Sequence, residues 1–372
     1  MVAMGSEVSS STLGSSIRKK RRDATSFVLD ISFEAQPGIT ILFGPSGAGK
    51  STLLDCIAGI LRPDGGKITI GKDVLFDSVS RLDVPPQKRR IAYVFQSLAL
   101  FPHLTVEQNI EYGLRNTPEE DRRARVEEIL EAFRVEKLRN RKPQQISGGE
   151  RQRTALARSL VIAPRVLLLD EPLTALDAEL KAAIVEDLRA WNAAKRIPIL
   201  YITHSRDEVD ALGERVIAID NGRVVGRGTP MDVLEAPRRK RLAQAAGFEN
   251  LLSAVLLDLR EPDGVMRVRL GESNCEIEVP LAHGSTGDRV QIAIRAGDIL
   301  LASEHPHGLS ARNILEGRVL SLERCGTLYI ARVDCGVTFV VHVTPGAVRA
   351  LELAPEKQVW LVLKTHSCHL VD

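Results

Sequence analysis

The run Gly44-Pro45-Ser46-Gly47-Ala48-Gly49-Lys50-Ser51 follows the apolar stretch "ITILF" and opens a helical pattern. In that setting the glycines let backbone N–H groups converge on phosphate oxygens, Lys50 reaches the β- and γ-phosphates of a nucleotide, and the Ser51 hydroxyl can ligate Mg²⁺. Much further along, "RVLLLDEP" supplies another apolar strand that ends in two carboxylates, Asp170 to hold the metal's shell and Glu171 to polarise an attacking water. Between the two lies "QQISGGERQRTALARSL", in which Ser147, Gly148 and Gly149 stand at the start of an amphipathic helix. Free N–H groups, a hydroxyl and the positive end of the helix dipole make this a second phosphate binder. Two such binders for one nucleotide imply facing subunits of a homodimer, each completing the other's pocket.

These residues need strands to carry them and helices to begin at them. Short β-rich runs ("FVLDISF", "GITILFG", "RIAYVFQ", "RVLLLD", "PILYITH", "RVIAID") alternate with helical stretches from Lys50, near Glu119 to Phe133 and from Gly149 to Val161. That alternation predicts an α/β P-loop domain built round a parallel sheet, spanning 24–235 with a helical subdomain at about 97–160. Residues 1–23, Ser-rich and then basic ("SIRKKRR"), are expected to be a disordered tail. A linker is expected at 236–247. From 248 to 372 short alternating strands with Gly, Pro and Asp turns predict an all-β domain.

The chain's 372 residues, 44% hydrophobic, suffice for more than one core. Fifty basic residues against 48 acidic leave a net charge of +2, which offers no pull on a polyelectrolyte, so no nucleic-acid partner is expected. Five scattered cysteines without a CxxC pair fit reduced thiols in a reducing compartment. No apolar run approaches the roughly 20 residues that span a bilayer, and the N-terminus lacks a signal peptide's apolar block, so any work at a membrane is expected to go through a partner.

With these motifs in this order, the stretch from Ser26 to Gly228 resembles the ATP-binding subunit of ABC transporters. "ISGGE" matches that family's signature motif, with Glu150 where glutamine is more usual. The resemblance implies that Gln96 in "YVFQ" senses metal and γ-phosphate, that Asp177 in "LTALD" crosses to the other subunit, and that His204 in "YITHS" is the switch histidine. It implies ATP and Mg²⁺ as cofactors, with Gly44 to Ser51 and Thr52 holding the nucleotide together with Ser147, Gly148, Gly149 and Asp177. Ser51, Gln96 and Asp170 would hold the metal, and Glu171, Gln96 and His204 would form the catalytic set. Phe27 lies where an adenine-stacking aromatic belongs in the family, but it heads an apolar strand pattern that fits core packing as well. A repair-type soluble ATPase would part its nucleotide motifs with a long coiled coil, and a translation-type one would carry two cassettes; this chain has one cassette and no sustained heptads. "SLALFPHLTVEQNIEYGL" resembles importer subunits, whose helical subdomain receives a short helix from an integral membrane permease. The chain is therefore expected to be peripheral at the cytoplasmic face of the inner membrane, with a substrate-binding protein as an indirect partner.

The β region repeats itself. "ENLLSAVLLDL" from Glu249 aligns with "RNILEGRVLSL" from Arg312 at an offset of 63, and "VQIAIRAGDILLA" with "VWLVLKTHSCHLV" at an offset of 69, predicting two small OB-like barrels. "SARNILEGRV" and the later Lys364-Thr365 resemble the molybdate-binding Mop-type domain, also classed as TOBE, of importer ATPases and regulators. That resemblance implies an oxyanion site of Ser310, Arg312, Asn313, Lys364 and Thr365, since a tetrahedral dianion calls for cations, hydroxyls and backbone N–H groups. Molybdate or tungstate is the expected cargo; sulfate, ferric iron, polyamine and sugar importers share every ATP-site motif above.

Overall fold

The computed structural model describes residues 12–20, 27–115, 117–174, 176–235 and 240–371. The chain divides into two compact units, Met1–Val233 and Leu234–Asp372.

In the first unit the Val-, Ile- and Leu-rich runs become strands covered on both faces. Ile91–Val94, Val166–Asp170, Pro198–Ile202, Gly38–Phe43 and Arg215–Asp220 pair in that order as a parallel sheet, which Arg223–Gly228 extends antiparallel. The loops that leave the carboxyl ends of such strands converge on one edge of the sheet. Gly44 directly follows Phe43 and Glu171 directly follows Asp170, while Gln96 comes two residues after Val94 and His204 two after Ile202. An antiparallel sheet of Val28–Ala35, Leu13–Lys20, Gly65–Ile70, Asp73–Asp77 and Leu82–Asp83 lies in the same unit. Leu13, Ile17, Leu29 and Ile68 from it, Leu42, Leu168 and Leu200 from the parallel sheet, and Leu53, Leu54 and Ile57 of the helix Lys50–Ala58 share one core. Between the strands Ile91–Val94 and Val166–Asp170 the chain is mostly helical, with Val106–Glu111, Glu119–Ala132 and Gly148–Leu160. Asp187, 4% exposed on the helix Ala178–Lys195, ties this helical part down by pairing with Arg134 and Arg153 at 3.2 Å each.

Two sequence expectations need correction. Leu13–Lys20 is no tail but a strand, paired with Val28–Ala35 (Ile17 opposite Ile31) and with Gly65–Ile70. Leu13, Ser15 and Ile17 alternate inward, Arg18 and Lys20 face out, and the largely covered Lys19 pairs with Asp64 at 2.9 Å, so the basic stretch joins the sheet without burying an unpaired charge. Residues 1–11 and 21–23 of the expected tail lie outside the described residues. The expected linker contains a helix, Lys240–Ala245, that buries Leu242 and Ala243 in the second unit; its residues 236–239 also lie outside the described ones.

The second unit is all β apart from short helices, and its two repeats are interlaced. Each gives five strands, but the last strand is exchanged: Leu300–Ala302 of the first pairs with Gln358–Leu363 of the second, and His369–Val371 of the second pairs with Arg289–Ile294 of the first. Both resulting sheets are five-stranded and share one core that includes Leu256, Val268, Ile292, Val333, Val341 and Leu361. The OB-like halves are therefore not independent barrels in sequence.

Candidate functional site

The strand Gly38–Phe43 delivers the chain into the phosphate loop at Gly44, where a Cβ would lie 2.0 Å from the Ile219 carbonyl oxygen. Gly49 caps the following helix at φ 100°, with Phe27 and Leu29 packed where a side chain would be. Phe27 thus serves the core beside the loop. Ala48 is held from the far side, because its carbonyl accepts from the Gly222 N–H at 3.0 Å. Ser46, Gly47 and Thr52 belong to the same loop and helix start.

Lys50 opens the helix Lys50–Ala58 and is 8% exposed, with Nζ donating to the carbonyls of Gly44 at 2.8 Å and Pro45 at 3.0 Å. Burial lowers its pKa, while the carboxylates of Glu171 and Asp170 work the other way. Both of these hydrogen bonds go to neutral carbonyls, so phosphate oxygens would be stronger partners. Asp170 ends the strand Val166–Asp170; burial raises its pKa, with hydrogen bonding to Ser51 opposing and the Glu171 charge adding to the rise. A hydroxyl and a carboxylate brought together beside Lys50 are the hard oxygen donors that Mg²⁺ takes, so Ser51 and Asp170 fit that ion.

Glu171 sits one residue on, in the left-handed region at φ 46°, with its N–H donating to the Ile202 carbonyl at 3.1 Å. Thr174 Oγ1 donates to the Glu171 carbonyl at 2.9 Å and fixes the same turn. The carboxylate lies 3.5 Å (Oε2) from Nδ1 of His204, which is 60% exposed. A non-glycine in that conformation costs backbone energy, which these hydrogen bonds must offset. Gln96, exposed after the strand Ile91–Val94, lines a cavity of about 420 Å³ with Glu171 and Gly148. No phosphate-loop residue belongs to that lining.

Ser147 caps the helix Gly148–Leu160 by accepting from the Glu150 N–H at 3.3 Å, and Glu150 Oε2 accepts from the Ser147 N–H at 2.7 Å. This reciprocal box accounts for glutamate at position 150: its carboxylate closes the helix start while the serine hydroxyl proton stays available. Gly148 and Gly149 pack against Leu176 and Leu180, where side chains would meet both leucines at 3.4 Å. Asp177 caps the helix Ala178–Lys195 through the Leu180 N–H at 2.9 Å. Sequence reading missed Tyr93, whose hydroxyl bridges Asp55 (3.2 Å) on the phosphate-loop helix and Asp170 (3.5 Å). It stands in "YVFQ", three residues before Gln96.

In the second unit Arg312 precedes Asn313, which is paired with Leu363, so Arg312 and Lys364-Thr365 share one end of two neighbouring strands. Arg312 is 70% exposed, with Nε 3.6 Å from Glu278. Lys364 and Ser310 are exposed, and Thr365 Oγ1 is buried with no hydrogen-bond partner. Asn313 is 3% exposed and its amide holds the Glu278 backbone, accepting from N–H at 2.7 Å and donating to C=O at 2.8 Å. Asn250, its counterpart in the first repeat, holds Val340 in the same way at 2.6 and 2.9 Å. The repeats differ where charge matters. At the position of Arg312 the first repeat has Glu249, whose carboxylate accepts from the Ala296 N–H at 2.8 Å; Ala296 corresponds to Thr365. The first repeat fills with its own carboxylate the place that a cation and an unsatisfied hydroxyl flank in the second.

Residues 28–174 match the ABC transporter family and residues 309–370 the TOBE domain. Among curated proteins, the molybdenum import ATP-binding protein ModC of Rhizobium meliloti (strain 1021) is 41% identical over 349 residues, 91% of this chain and 95% of that protein. The molybdate/tungstate import ATP-binding protein WtpC of Pyrococcus abyssi (strain GE5 / Orsay) is 36% identical over 341 residues, 90% of this chain and 93% of the other. Among solved structures, cbiO1 from Clostridium perfringens, part of the ABC transporter complex cbiONQ, superposes with a TM-score of 0.54 at 28% identity, covering 65% of this chain and 96% of that one.

Proposed function

Since this chain belongs to the ABC transporter ATP-binding family, we propose that it is the ATP-hydrolysing subunit of an importer for molybdate or tungstate. Likeness to the curated importers that runs through both units, 91% of the chain at 41% identity, carries the cargo reading. Two copies would face each other, so that the Gly44–Thr52 loop of one and Ser147-Gly148-Gly149 of the other close on the same ATP, with Asp177 reaching across. Lys50 would leave its two carbonyls for the phosphates. Ser51, Asp170 and Gln96 would hold Mg²⁺, which when bound neutralises charge on the β- and γ-phosphates. Glu171 would orient and take a proton from the attacking water, with His204 beside it to hold the γ-phosphate. The permease would dock on the helical part, and the subunit would sit peripherally at the cytoplasmic face, a substrate-binding protein feeding the other side. No described helix is long and apolar enough to cross a membrane. The second unit would bind the oxyanion at Ser310, Arg312, Lys364 and Thr365.

The test is Glu171→Gln, which keeps shape and removes the charge. ATP affinity should hold, turnover should fall by about a hundredfold or more, and size-exclusion with ATP and Mg²⁺ should show an accumulated dimer. Turnover within about threefold of wild type, roughly 0.7 kcal/mol in barrier, would remove Glu171 from its role.

A further inference from the structure

The loop after Gln96 turns through two successive left-handed residues, Leu98 at φ 57° and Ala99 at φ 46°. Neither is glycine, so something must hold the turn. Arg158 does: Nη1 donates to the Ala99 carbonyl at 2.7 Å and Nη2 to the Leu98 carbonyl at 2.8 Å. No carboxylate pairs with this guanidinium among the described residues, and burial lowers its pKa. Its remaining face lies 5.5 Å from the centroid of the Phe101 ring. The rest of the loop is held by Asn109, fully buried, which accepts from the Phe101 N–H and donates to the carbonyls of Phe101, Leu104 and Thr105. Two side chains thus fix this connecting segment.

Arg158 lies on the same helix, Gly148–Leu160, that Ser147 caps. Eleven residues apart on one helix, the two stand about 16 Å apart along its axis. A helix is stiff at that length, so a displacement imposed at Ser147 reaches Arg158, and from there Leu98, two residues after Gln96. The planar fork suits two neighbouring carbonyls in a way that a lysine, a point donor, does not.

We propose that Arg158 is a positioning residue that sets the loop carrying Gln96 and passes to it the movement of the helix that begins at Ser147. This rests on the reading of Gln96 as a residue that senses the γ-phosphate. The test uses the full-length chain with Arg158→Met, Arg158→Lys and Gln96→Ala, measuring ATP Kd, kcat per ATP-binding site and amide hydrogen exchange. Arg158→Met should keep ATP Kd within about twofold and lose about 30-fold in kcat, with Arg158→Lys between it and wild type. Exchange at Leu98 and Ala99 should quicken while the strand Val166–Asp170 is unchanged. A merely structural role would lower the fraction of molecules that bind ATP and leave kcat per site intact; that result overturns the proposal. So does undisturbed exchange at Leu98 and Ala99. Should Arg158→Met fail to fold, Arg158→Lys decides, with wild-type kcat and exchange as the overturning result. Wild-type kcat in Gln96→Ala would instead sink the reading of Gln96, leaving the loop contact to be judged by exchange alone.

Discussion

Replacing Asn313 by alanine separates an inter-sheet staple from an anion ligand. The substitution deletes two hydrogen bonds to the Glu278 backbone, at 2.7 and 2.8 Å, and leaves that N–H and C=O without their partner. Each bond contributes about 1 kcal/mol and each stranded, partly buried group costs somewhat more, which puts the loss at about 2–4 kcal/mol. For a unit of this size that is a fall in Tm of about 6–12 °C. Asn250→Ala should cost much the same, since Asn250 makes the matching pair of bonds to Val340. The assay is thermal unfolding of the full-length protein without oxyanion, following the transition of the C-terminal unit. An Asn313→Ala protein that unfolds within about 2 °C of wild type, yet no longer binds molybdate, would refute the staple and restore Asn313 to the anion site.

Ser147→Arg should spare ATP binding by the isolated subunit but abolish dimerisation and hydrolysis, whereas Lys50→Ala should lose ATP binding itself; equal loss of binding in both, measured by equilibrium dialysis, would place Ser147 in its own chain's pocket. Calorimetry should show molybdate or tungstate binding weakened at least about 30-fold by Arg312→Ala or Lys364→Ala, as expected for loss of a charge-assisted partner, with sulfate a poor competitor. Unchanged binding in both variants would remove the site from that end of the second repeat.

The grouping of the candidate site's residues was legible because their spacing is local in sequence. Loops at the carboxyl ends of adjacent parallel strands converge whatever the rest of the chain does, so Lys50, Gln96, Asp170, Glu171 and His204 could each be placed from the strand before it. Tyr93 escaped because its role depends on Asp55 and Asp170 arriving from two other elements. Leu13–Lys20 escaped for a related reason: composition marked it as solvated, but three inward residues, Leu13, Ser15 and Ile17, are enough once strands on both sides supply the ladder. The β repeats were visible as an alignment. Their exchange of last strands was not, because pairing partners far apart in sequence leave no local trace. The inter-sheet bonds of Asn313 and Asn250 left no local trace either, because Glu278 and Val340 come from strands far away in sequence.

The measurement that bears most directly on the central claim is uptake of labelled molybdate by cells that lack their own molybdate importer and express this chain with the permease and binding protein of its own genome. Wild-type chain should restore uptake at low external molybdate, tungstate should compete, and Glu171→Gln should restore none. Uptake of sulfate, iron, polyamine or sugar without molybdate uptake, or molybdate uptake undiminished in Glu171→Gln, would contradict the account.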